Sequence, residues 1–95
     1  MAIYLDREGV DSTVKQIGQA IEALQDAAKR VDNEVMGNLG NSWQGDAYNK
    51  TIDTYASEYQ KMLTVDVPEL VSQLSQFIDN CKNAIVEVDR QLSGG

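Results

Sequence analysis

The stretch Gly40-Asn41-Ser42-Trp43-Gln44-Gly45-Asp46 divides the 95-residue chain in two. Two glycines and several small polar residues in so short a span have the composition of a turn. Before it, apolar residues recur at Val10, Val14, Ile17, Ile21, Leu24, Ala28, Val31 and Val35, in steps that alternate four and three. That is the spacing of a heptad seam along a helix. After it the same steps run through Tyr48, Ile52, Tyr55, Tyr59 and Met62. A second register follows through Val67, Val71, Leu74, Ile78, Cys81, Ile85, Val88 and Leu92. Two long seams joined by a short turn predict an all-α, antiparallel two-helix hairpin in a single domain.

Working outward from the turn, helix 1 is expected at about 7–39, the turn at 40–45 and helix 2 at about 46–92. Asp6 is a good N-cap, with Leu5 before it and Val10 four residues after in the arrangement of a hydrophobic staple. In helix 2 the step from Met62 to Val67 is five, so the seam slips by one residue there. Pro68 fits the first turn of a helix but not an interior, and Asp66 with Glu69 has capping-box spacing. Helix 2 is therefore expected to be kinked or briefly broken near 65–68. Ser93-Gly94-Gly95 reads as a frayed tail.

The formal charge is −7, and there is no histidine. A chain this acidic lacks the clustered Lys and Arg that nucleic acid or an anionic membrane surface requires. The absence of histidine removes the commonest general base and metal ligand. Glu87 and Asp89 are two residues apart and do not face each other on a helix, while Ser42 has no histidine to activate it. No metal-ligand spacing and no glycine-rich phosphate loop occurs, so neither enzymatic activity nor a cofactor is expected. The lone Cys81 reads as a small buried hydrophobe, or else as half of an intermolecular disulfide or a reactive thiol. No run of about 18 apolar residues is present, so no integral membrane segment is expected. Charge arrives at Asp6, too early for a secretory signal, and on these rules alone the protein reads as cytosolic.

A two-helix hairpin buries little surface, and for such scaffolds burial and ordering entropy nearly cancel. Beside the second seam lie Leu63, Leu70, Phe77 and Ala84, seven apart, which widen the apolar face beyond what one neighbouring helix covers. Ala20 and Ala27 occupy the equivalent flank of helix 1. These residues are the expected surface for a dimer, two hairpins making a four-helix bundle. Counting back from Trp43, helix 1 ends opposite roughly residue 80, at about 1.5 Å per residue. The segment from Cys81 to Leu92 is then expected to overhang.

Trp43-Gln44-Gly45 sits in the inter-helix turn at mid-chain. On physical grounds Trp43 covers the end of the bundle, and Gly45 lets the backbone turn without a side chain. In combination, the length, the hairpin, Leu39-x-x-x-Trp43-x-Gly45-x-Ala47 and the opening Ile3-x-Leu5-Asp6 resemble the WXG family, the early secretory antigen-like small proteins of type VII secretion. That resemblance, which covers nearly the whole chain, implies a homodimer or a heterodimer with a related helical protein. It also implies export without a cleavable signal peptide by the type VII machinery, which reverses the cytosolic reading. Family export signals pair Trp-x-Gly with a C-terminal Tyr-x-x-x-Asp/Glu, and no tyrosine follows Tyr59 here. Ile85-x-x-x-Asp89-x-x-Leu92 is instead similar to the looser signature of Firmicute members, which points to a Gram-positive system of that type. The leading expectation is a non-enzymatic secreted substrate or co-substrate. The alternatives are an obligate partner of a larger type VII toxin and an intracellular helical adaptor.

Overall fold

A computed structural model of the chain describes residues 4–93, and Ile3, Gly94 and Gly95 lie outside them. The described residues are helical with no strand, arranged as two arms. The first arm is α1 (Arg7–Asn33), a π-helical turn at Glu34–Asn38 and a short α2 (Leu39–Ser42). The second is α3 (Asp46–Thr54), π turns at Tyr55–Tyr59 and Met62–Asp66, and α4 (Val67–Ser93). The molecule is a rod of 71 × 20 × 18 Å.

α1 begins where its sequence provides a cap. The Asp6 carboxylate accepts from the Gly9 N–H at 3.1 Å, and the Asp6 carbonyl accepts from the Val10 N–H at 2.9 Å. A side chain at residue 9 would collide with the Asp6 carboxylate, its Cβ falling 2.5 Å from Oδ2. The first arm then runs three residues past its expected end. Gly40 does not terminate it, because the Tyr48 hydroxyl lies over Gly40, 2.6 Å from where a Cβ would stand. Gly40 is thus a packing hollow for the opposite arm, and the chain leaves the helix at Trp43, in extended backbone.

The five-residue step at Met62–Val67 is taken up without a break. The Val67 N–H donates to the Met62 carbonyl, an i→i−5 bond that fits one extra residue into the turn. Val67 is helical, so Asp66 caps no new helix, and Pro68 falls just after the wide turn. The same i→i−5 bond closes the other two π turns, from Gln60 to Tyr55 and from Leu39 to Glu34.

α1 and α4 pack along one ridge each. Val14, Ile21, Val71 and Ile78 form the core, with Val10, Val67, Leu74 and Ile85 against it. Ala28 and Tyr55 are also buried, and among the described residues no side chain is wholly removed from solvent. At the open end Arg7 donates to Asp89 at 3.0 Å. The first arm therefore starts level with the last turns of α4, and the expected overhang of Cys81–Leu92 is not formed. Ile85, assigned to it, packs on the core instead. Counting residues back from Trp43 misplaces the end because side-chain packing and reach set how the arms meet there: Val10 and Ile85 both lie against the core, and the long Arg7 side chain extends to Asp89.

Candidate protein–protein interface

Three of the eight residues of the first seam stand well out in solvent. Val14, Ile21 and Ala28 are buried, but Ile17 and Leu24 are each 40% exposed and Val31 46%. A heptad stripe is wider than one neighbouring helix can cover, so packing along Val14–Ile21–Ala28 turns the other edge outward. On α4 the same happens beside Val71 and Ile78: Leu70 is 45% exposed and Phe77 55%. The two outward stripes share one face. Lys15, Gly18, Lys82 and Val86, on the other side of the two packed ridges, line one groove, which leaves Ile17 and Leu24 with Leu70 and Phe77 on the opposite side.

Charge is segregated away from this face. Ile17 and Gly18 follow Val14 by three and four residues and so flank it on opposite sides. On the Ile17 side, the helical walk Thr13, Ile17, Ala20, Leu24, Ala27, Val31 meets no charged residue. On the Gly18 side lie Asp11, Lys15, Glu22, Asp26 and Lys29. α4 repeats the pattern, since Leu70, Gln73, Phe77, Asn80 and Ala84 form an uncharged walk at spacings of three and four. A molecule of charge −7 thus presents one long face that is apolar and neutral.

Of the residues expected on a partner surface, Ala20, Ala27, Leu70, Phe77 and Ala84 are exposed and Leu63 is half-buried. Sequence reasoning placed Ile17, Leu24 and Val31 in the internal seam, whereas they stand on this outward face. The signal that would have found them is the charge pattern, because the neutral walk runs through them.

The turn residues do local work. Gly45 has φ +118° and ψ −175°, a conformation open to glycine and rarely to other residues, and its carbonyl accepts from Asn49 N–H at 3.0 Å. Trp43 meets Tyr48 edge-on, ring centroids 5.7 Å apart, and stays 38% exposed. Of the C-terminal trio, Ile85 lies against the core and Leu92 is exposed. Asp89 holds Arg7, which also donates to Asp11 at 2.9 Å. That bond to Asp11, with the charges of both carboxylates, keeps Arg7 more firmly protonated than usual.

A second polar link, besides Arg7–Asp89, crosses the arms. Asp32 accepts from the Tyr55 hydroxyl at 2.7 Å and from the Gln60 amide at 3.3 Å. Burial first, then the hydrogen bond to Asp32 and its negative charge, push the Tyr55 phenol up to about 12. Among the described residues no cluster of three or more His, Cys, Asp or Glu side chains is placed to hold a metal ion. No helix there is long and apolar enough to cross a membrane. Comparison with protein-family models, curated proteins and solved structures found no match for this chain.

Proposed function

We propose that this chain is a WXG-type protein of a type VII secretion system, non-enzymatic, that acts by association through its neutral apolar face, first of all with a second copy of itself. The observation that carries the association is the surface the hairpin leaves open. It exposes 7198 Å², against roughly 5,400 Å² for a compact monomer of its mass. The excess is about twice what each partner buries in a standard interface, roughly 800 Å². The neutral walk through Ile17, Leu24, Leu70 and Phe77 lets two copies of charge −7 meet without setting like charges opposite each other.

The secretion context rests on the resemblance. Trp43-x-Gly45 forms the tight, glycine-dependent turn between the arms. Ile85, Asp89 and Leu92 supply the C-terminal signature. The test is export: the tagged protein is expressed in a Gram-positive host with an intact type VII system and in a strain lacking the system's ATPase. The protein accumulates in the medium of the first and is retained by the second. Equal release from both strains, or retention by both, would contradict the secretion reading. Trp43→Ala and Asp89→Ala, compared at equal cellular level, then report whether those side chains belong to the signal.

A further inference from the structure

The face turned away from the neutral walk holds a groove of about 680 Å³ between α1 and α4. Its floor is apolar, made of Val14, Ile78 and Val86, and Val86 is 54% exposed. Gly18 sits in its wall, in the interior of α1, where a glycine weakens the helix. Nothing in the hairpin requires it, since a Cβ there would meet no atom within 4 Å. Gly40, by contrast, makes room for Tyr48. The space over Gly18 faces outward.

The groove also departs from the charge of the whole. Arg7, Lys15 and Lys82 line it, three of the chain's eight basic residues, against the acids Asp11 and Glu22. Arg7 is occupied by Asp11 and Asp89, whereas Lys15 and Lys82 make no ion pair among the described residues. An apolar floor, a wall without a side chain and two ammonium groups without an ion pair, against one such carboxylate at Glu22, favour an acidic occupant over a basic one. We infer that this groove docks an acidic amphipathic helix of another protein. Its apolar side chains rest on Val86 and Ile78, its backbone approaches over Gly18, and its carboxylates pair with Lys15 and Lys82. The inference goes beyond the self-association proposed above, because the groove opens on the opposite face and stays free when the neutral face is covered.

The probe is a fluorescein-labelled synthetic peptide of leucine and glutamate with leucine at heptad spacing, about four turns long. Its anisotropy is measured against the whole protein, beside the same peptide carrying lysine in place of glutamate. The expected result is that the glutamate peptide binds at least about tenfold more tightly than the lysine peptide. Gly18→Leu, which fills the groove, and Lys15→Glu with Lys82→Glu each weaken it by about tenfold. Gly18→Leu keeps the helix content and solution mass of the wild type, so its loss of binding is not loss of fold. Equal binding of the two peptides, or no binding, overturns the inference. So does a Gly18→Leu protein that binds like wild type while the lysine variant does not, which would mean diffuse attraction to cations. A change of solution mass in Gly18→Leu overturns it too, by making the groove a contact between copies.

Discussion

Tyr55 is a buried side chain whose hydroxyl reaches across the hairpin to Asp32 and ties the middle of the two arms together. Its phenol is held up near 12, above the ordinary value of about 10. The folded state therefore favours the neutral phenol. That contribution is complete below about pH 10 and is lost as the pH rises from about 10 to 12. The urea midpoint of the wild type should fall through that window more steeply than that of Tyr55→Phe, which has no group to ionise. Parallel curves for the two proteins would remove Tyr55 as the cause. Near neutral pH, Tyr55→Phe costs about 1–2 kcal/mol, because it leaves Asp32 short of a donor. Two glycines make an opposed pair. Gly37→Ala, at a position with open space, should stabilise by about 0.5–1 kcal/mol. Gly45→Ala forces a side chain into φ +118° and should destabilise by about 1–3 kcal/mol, both read from urea denaturation.

At the scale of the helical element, the seam spacing made both arms legible, because a heptad pattern sustained over many turns has few other solutions. The five-residue step at Met62–Val67 was equally visible, yet Asp66 and Pro68 beside it suggested a helix start. The structure resolves that conflict with a π turn, which takes the extra residue while the helix runs on. Pro68, as the second residue of α4, is thus tolerated by its place beside a wide turn. Pro68→Ala should leave the helix content by circular dichroism unchanged and should not lower the urea midpoint. Ser75→Pro, in the regular part of the same helix, should cost about 3 kcal/mol or more. A Pro68→Ala protein that loses helix, or a Ser75→Pro protein as stable as wild type, would show that the turn is not what accommodates the proline. The Asp32–Tyr55–Gln60 node could not be read from sequence at all. It depends on the register between arms, and register is set by packing rather than by spacing along either arm.

For the whole molecule, the decisive property is surplus surface. A rod 71 Å long and 18–20 Å across cannot enclose a core, and its best-buried side chains still touch solvent. The sequence indicated that an apolar flank stayed open at Leu70 and Phe77, but not that Ile17, Leu24 and Val31 joined it. Which edge of a heptad stripe faces inward is decided by the roll of one helix on the other. The charge pattern carries that information, and it leaves one face neutral and the other bearing the groove around Gly18.

The claim that the neutral face is an interface is tested most directly by the solution mass of the pure protein, by size exclusion with light scattering over a concentration series. A second sample carries Leu24→Glu and Phe77→Glu. The wild type should run at twice its 10.5 kDa chain mass, and the double variant should run as a monomer with reduced thermal stability. A wild-type protein that remains a folded 10.5 kDa monomer at every concentration would contradict self-association and assign the face to a different helical partner. A dimer that survives both substitutions would place the interface elsewhere on the rod.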